Sequence, residues 1–181
     1  MLDAVRIDES CLILGDVELP FHHADFINNC IRLAKHWRID TLILAGDFIH
    51  WASLAFFPDS EKDVEKEIEQ IGLSIRPFIE SFSKVVWISG NHEKRVTNAM
   101  DRLLSLKYTS RLIIPSDLAE LFKARVTTSD YFYCWVGQNW KIIHPKATNT
   151  VPANAARNIA ERQECNVIMT HDHLVGVQQA G

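Results

Sequence analysis

The chain has 181 residues, 47% of them hydrophobic, a formal charge of -4 and four cysteines. That length suits one domain, residues 1–181, with a sizeable core, and the acidic balance argues against a broad nucleic-acid-binding face. Cys11, Cys30, Cys134 and Cys165 share no metal-ligand spacing and read as small core residues of a reducing compartment. With a charged amino terminus and no apolar run of membrane-spanning length, the expected location is the cytoplasm.

In chain order, residues 11–15 predict a strand that releases Asp16 into a loop ending at His22 and His23. Residues 24–37 predict a helix with Phe26, Cys30, Leu33, Ala34 and Trp37 on its buried face. Residues 41–45 are apolar on both faces, as a central strand covered from both sides would be, and they end in Gly46-Asp47. Strand, helix and strand make a βαβ unit. An aromatic loop follows over residues 48–58. Ser60 with Asp63 then predicts a capping box, and Val64, Ile68, Ile71, Ile75 and Ile79 the buried stripe of a long helix. The charges from Glu61 to Glu69 form its solvated face, and Pro77 kinks it or ends it near Arg76.

Residues 85–88 predict a buried strand opening into Ser89-Gly90-Asn91-His92-Glu93. There Gly90 permits a tight turn, Asn91 offers an amide oxygen to a hard cation, and His92 can donate a proton. Helices are expected over 94–107 and 117–123. Residues 131–136 and 140–143 read as a hairpin across Gly137-Gln138-Asn139 that releases His144. Thr150 and Pro152 open a helix to about Gln163, and residues 166–170 form a last strand that releases His171-Asp172-His173.

Five strands thus deliver carboxylates, an amide and imidazoles at one end, where open α/β sheets place their ligands. The order Asp, Gly-Asp, Gly-Asn-His-Glu, His, His-x-His resembles the calcineurin-like metallophosphoesterase superfamily, in its compact bacterial and phage members, from about Leu12 to His173. The resemblance implies an α/β fold, an α-β-β-α sandwich of two mostly mixed β-sheets flanked by helices. It implies two divalent metal ions, Mn²⁺ first, with Fe, Zn, Ni or Mg as alternatives, and hydrolysis of a phosphomonoester or phosphodiester. Asp47 would bridge the ions. Asp16 and His173 would bind the first, together with Glu18, and Asn91, His144 and His171 the second. His92 would bind no metal; it would stabilise the attacked phosphate and protonate the leaving oxygen. Two cations about 3.5–4 Å apart orient an attacking hydroxide and stabilise charge on the phosphoryl oxygens.

The chain departs from that pattern at three places. Glu18 stands where the Asp-x-His motif has a histidine ligand; a carboxylate adds negative charge and favours harder cations. Either it binds or it points away, leaving the first site weak and His22 or His23 as substitutes. His50 stands where many members have an aspartate three residues after the bridging one, and no role is assigned to it. Thr170 stands where glycine commonly precedes the first histidine of the last motif. Arg95 is either a contact for substrate phosphate or a helix-surface charge. A metal-dependent nuclease is the alternative enzyme, with Lys84, Lys94, Arg95, Arg102, Lys107 and Arg111 as a local basic groove. A scaffold with weakened catalysis is the non-enzymatic alternative, which Glu18 favours and His92 opposes. The chain stops eight residues after His173, where family members continue; Val175 and Val177 are expected to begin a further strand.

Overall fold

The computed structural model describes residues 4–55, 63–99, 106–146 and 149–180. Its elements are β1 (Arg6–Ile7), β2 (Cys11–Leu14), α1 (Ala24–His36), β3 (Thr41–Ala45), α2 (Val64–Ser81), β4 (Lys84–Ile88), α3 (Glu93–Ala99), α4 (Leu106–Thr109), α5 (Ala119–Arg125), β5 (Val126–Ser129), β6 (Tyr133–Val136), β7 (Trp140–Ile143), α6 (Asn154–Gln163) and β8 (Asn166–Met169), with single 3-10 turns between some of them. Among the described residues no helix is long and apolar enough to cross a membrane.

Alternation along the central strands sets the layers. In β3, Leu42 and Leu44 pack with α1 and α2, while Ile43 and Ala45 point the other way. In β4, Val85 and Trp87 join the helical side and Val86 and Ile88 the opposite one. Successive side chains of a strand face opposite sides, so a continuously apolar strand serves two cores at once. The helical core holds Ile27, Ile31, Ile71, Ile75 and Phe78; the other holds Ile7, Cys134 and Ile142 of the second sheet.

One sheet runs β2-β3-β4-β5 and is parallel throughout. Right-handed crossovers in unbroken sequential order place the connecting helices on one face, which leaves the other free for the second sheet. That sheet runs β1-β6-β7-β8, with only β6 and β7 antiparallel; α6 packs against β8. The expected α-β-β-α sandwich is present, with one sheet mixed and the other purely parallel. The strands β1 and β5 were not anticipated, because a pair of residues and the polar run Val126-Thr127-Thr128-Ser129 carry no apolar period.

Several sequence expectations are corrected. Helix α1 buries Ile27, Ile31 and Ala34, with Cys30 at their edge, whereas Phe26, Leu33 and Trp37 are exposed. Two apolar stripes run along this helix, and its docking on the sheet buries the one that carries Ile27, Ile31 and Ala34. Asp63 itself caps α2, accepting from the Glu65 and Lys66 N–H groups; Ser60 lies outside the described residues. Pro77 does not end α2, which continues to Ser81. Glu67 is not on the solvated face. It is buried and accepts hydrogen bonds from the Ala52 and Ser53 N–H groups and the Ser53 hydroxyl. The helix expected over 94–107 appears as α3 and α4, residues 100–105 lying outside the described set. Val175 and Val177 form no strand and are almost fully exposed.

Candidate metal centre

The carboxyl ends of β2, β3 and β4 lie on one edge of the parallel sheet, and those of β7 and β8 on the facing edge of the other. Register places the functional groups beside one another. The Leu14↔Leu44 and Ala45↔Ile88 pairs bring the residues after β2, β3 and β4 level, and Ile143↔Met169 does the same for His144 and Thr170. Beyond β2 and β3 the chains keep pairing: Asp16 N–H donates to Gly46 O, Glu18 N–H to Asp47 O, Leu19 N–H to Phe48 O and His50 N–H to Leu19 O.

Asp47, His144 and His171 form one group whose ligand atoms lie within 4.8 Å of each other. His144 is fully buried, and Asp47 nearly so. His144 Nδ1 stands 3.2 Å from Ala45 O and 3.0 Å from Thr170 Oγ1. A carbonyl only accepts, so the ring proton belongs on Nδ1 and Nε2 keeps its lone pair. That Nε2 is aimed at Asn91 Oδ1, 2.9 Å away, and Asp47 Oδ2, 3.2 Å away. Three electron-pair donors facing one another in a buried place require a proton or a cation between them. Without an ion the proton answers: burial opposes it, but the Asp47 hydrogen bond and charge hold the His144 pKa above its ordinary value. Burial likewise pushes Asp47 up, and the His144 bond outweighs it, so Asp47 sits below the ordinary carboxylate range. The donor set fits a divalent ion.

Asp16 and His173 are adjacent, Oδ1 to Nε2 3.6 Å, and Asp16 Oδ1 is 3.8 Å from His144 Nδ1. Asp16 Oδ2 accepts from the His171 N–H, 2.8 Å, while Oδ1 is buried with no hydrogen bond. Burial raises the Asp16 pKa. An orphaned carboxylate oxygen beside an exposed imidazole has room for a cation ligand role. Asp16, Glu18, Asp47, His171 and His173 all have positive φ, between 46° and 94°. Such backbone is costly for side-chain-bearing residues and clusters at functional sites.

Glu93, one residue past His92, is what holds the loops together. Its buried carboxylate accepts from Asp47 N at 3.1 Å, Phe48 N at 2.9 Å, Ile49 N at 3.1 Å and Gly90 N at 2.7 Å. Burial, then the nearby Asp47 charge, lift its pKa to about 7 against the pull of those N–H groups. Phe48 beneath it packs edge-on against Phe78 and Trp87, at 4.9 and 5.2 Å; burying a phenyl ring contributes about 1.5–3 kcal/mol. Gly90 is required by close approach, since a Cβ there would lie 2.2 Å from Asp47 Oδ1. Gly46, at φ +77°, carries the His144 ring 2.4 Å from where its own Cβ would be.

A second group joins Glu18, His50 and His92. His92 N–H donates to Asp47 Oδ1 at 2.8 Å, and His92 Nε2 is 3.6 Å from Asp47 Oδ2. Burial lowers the His92 pKa to about 4, although Asp47 pulls it upward. Every predicted site residue therefore lies at this edge. Asp16, Asp47, Asn91, His144, His171 and His173 meet there, while Glu18 faces His50 and His92. His22 and His23 stay apart: His23 caps α1 and His22 lies near Pro20 O.

Sequence reasoning singled out His50 without assigning it a role, and missed Glu93. The only signal for Glu93 was its place in the Gly-Asn-His-Glu run. Arg95 is not a surface charge; its Nη1 donates to His50 O at 2.6 Å. Thr170 replaces glycine without penalty, because Gly15 leaves room for its methyl and its hydroxyl donates to Ala45 O. Lys84 starts β4, at the edge opposite the site, and pairs with Glu9, so it contributes nothing to a basic groove there; Arg102 lies outside the described residues. The model of the calcineurin-like phosphoesterases matches residues 11–175. No curated protein matches the chain at a significant level.

Proposed function

This chain belongs to the calcineurin-like phosphoesterase family, and on that premise we propose that it hydrolyses a phosphomonoester or phosphodiester with two divalent ions, Mn²⁺ foremost. The observation that carries the reading is His144 Nε2 aimed at the oxygens of Asn91 and Asp47. Asp47, Asn91, His144 and His171 would hold one ion, and Asp47, Asp16 and His173 the other. The carboxylate and amide oxygens suit Mn²⁺, and the imidazoles admit Fe, Zn or Ni as well. Bound there, the two ions supply Lewis acidity toward the phosphoryl oxygens and acidify water.

The protein's own groups do the rest. Lys94 and Lys146 both lie against the Phe132 ring, at 5.3 and 5.4 Å, each two residues past a histidine of the site, His92 and His144. They place positive charge where an anionic ester arrives. His92, held by its backbone on Asp47, offers Nε2 to the phosphate, whose negative charge offsets the burial that lowers its pKa, so that the ring takes up from solvent at Nε2 the proton it gives to the leaving oxygen.

Metal-stripped protein is expected to be inactive toward bis-p-nitrophenyl phosphate and p-nitrophenyl phosphate and to regain activity with Mn²⁺. An unchanged rate after exhaustive chelation overturns the reading. His92→Ala is expected to keep its Mn²⁺ while losing turnover by about 10²-fold or more, as removal of a general acid and charge stabiliser does. Metal analysis beside steady-state kinetics checks both halves, and loss of the ions in this variant would reassign His92 as a ligand.

A further inference from the structure

Two positions at which the chain departs from the family pattern, Glu18 and His50, meet in space. Glu18 Oε2 lies 3.4 Å from His50 Nδ1, and Oε1 lies 3.5 Å from His92 Nδ1. The two rings stand at right angles with centroids 4.9 Å apart. One carboxylate thus sits between two imidazoles, an oxygen for each. Both Nδ1 atoms are buried and make no hydrogen bond to any group, so the Glu18 oxygens are neighbours at ion-pair distance that a small side-chain rotation would turn into acceptors.

A buried donor left unpaired costs about 1–3 kcal/mol. A carboxylate, which only accepts, can satisfy both rings if each carries its proton on Nδ1. The backbone keeps the three groups in place. Glu18, at φ +55°, donates its N–H to Asp47 O; His50 donates its N–H to Leu19 O and accepts from Arg95. With Nδ1 of His92 turned to Glu18, its Nε2 is the nitrogen on the side of Asp47, 3.6 Å away.

We propose that Glu18 is a positioning residue for His92 and not a metal ligand: its carboxylate holds His92 Nδ1–H, so that Nε2 points at the phosphate, while its second oxygen holds His50 Nδ1–H. The proposal rests on the phosphoesterase reading for its catalytic consequence, but not for the hydrogen bond itself. It also accounts for the pair of departures. Where the family pattern has histidine and aspartate, this chain has glutamate and histidine; the two touching positions keep one carboxylate and one imidazole, in exchanged order. Glu18→His alone would leave the imidazoles without their acceptor, and His50→Asp alone would set two carboxylates against each other. Made together, the exchanges restore a pair of opposite character.

The test uses the full-length protein with ¹⁵N-labelled histidine, resonances of His92 being identified by their absence in His92→Ala. In the metal-free wild type, His92 is expected to carry its proton on Nδ1. In Glu18→Gln that signal shifts, kcat falls about 10- to 100-fold, the usual range for loss of a group that orients another, KM changes little, and Mn²⁺ stoichiometry stays at the wild-type value. The double variant Glu18→His/His50→Asp is expected to recover at least about tenfold of the kcat lost by Glu18→His, a coupling that residues in contact or in one hydrogen-bond network display and distant, independent ones do not. If Glu18→Gln instead loses one ion per chain and leaves the His92 resonances unchanged, Glu18 is a metal ligand and the proposal falls. A third bound ion in the wild type, with both Nδ1 atoms deprotonated, overturns it as well. Wild-type protein that binds no Mn²⁺ and hydrolyses neither ester would refute the phosphoesterase reading, and the metal-free tautomer measurement would still decide the role of Glu18.

Discussion

On the proposed two-ion reading, Asp47→Asn is expected to empty both ion sites and to lower turnover by about 10³-fold, since the variant would lose the carboxylate proposed to be shared between them as well as the charge stabilisation the ions would bring. Asparagine is the informative replacement. Asp47 sits at φ +46°, a backbone region that Asn accepts better than other side chains, and an Asn oxygen can still accept from the His92 N–H that Asp47 Oδ1 now binds. The loop therefore keeps its shape while the site loses its central charge. Removing that charge also relieves the repulsion that raises Glu93, so the metal-free variant should melt within about 5 °C of the wild type. Metal analysis after dialysis, thermal melts and ester hydrolysis measure the three quantities. Retention of two ions by this variant would exclude Asp47 as the bridge.

Glu93→Ala is expected to have the largest effect on stability, a loss of about 3–5 kcal/mol. The substitution strands the four N–H groups of Asp47, Phe48, Ile49 and Gly90 in a buried place, at about 1–3 kcal/mol for each one that water cannot reach. Those four donors belong to the loops after β3 and β4, so their release also loosens the loop that carries Asp47 from the one that carries Asn91 and His92. Metal affinity should fall together with stability, unlike in His92→Ala, where only turnover falls. Urea unfolding of the metal-free protein gives the first quantity, and Mn²⁺ titration below the melting range gives the second. A midpoint and an Mn²⁺ affinity both equal to those of the wild type would show that Glu93 does not organise the loops.

The two variants separate what a ligand does from what a brace does. The distinction matters because Asp47 and Glu93 are neighbouring buried carboxylates with opposite environments. Asp47 faces imidazoles, which favour its charge; Glu93 pays for full burial and faces the Asp47 charge, with backbone N–H groups as its hydrogen-bond donors.

Much of this arrangement was legible from residue order. Short apolar runs ending in Asp16, Asp47, Asn91, His144 and His171 predict strands whose carboxyl ends converge, and the bounds of β3 agree with the apolar run that marks it. Local pattern suffices there because strand formation and the turn after it depend on neighbouring residues and on burial from both faces. Periodicity, by contrast, specifies a spacing and not a phase. Phe26, Leu33 and Trp37 recur at separations compatible with one helix face, as Ile27, Ile31 and Ala34 do, and of the face predicted from the sequence the docking of α1 buries only Ala34, with Cys30 at the edge. Charge gives no warning of its own destination either: Glu67 looks like a solvated helix residue and Glu93 like the polar end of a loop until chain distant in sequence brings N–H groups to them. The same holds for Glu18, His50 and His92, separated by 32 and 42 positions and joined because the chains beyond β2 and β3 remain paired. The sequence by itself determined which chemical groups leave each strand; the tertiary structure alone decided which of them face one another, because contacts between distant loops depend on sheet register and layer packing that no local window of residues encodes.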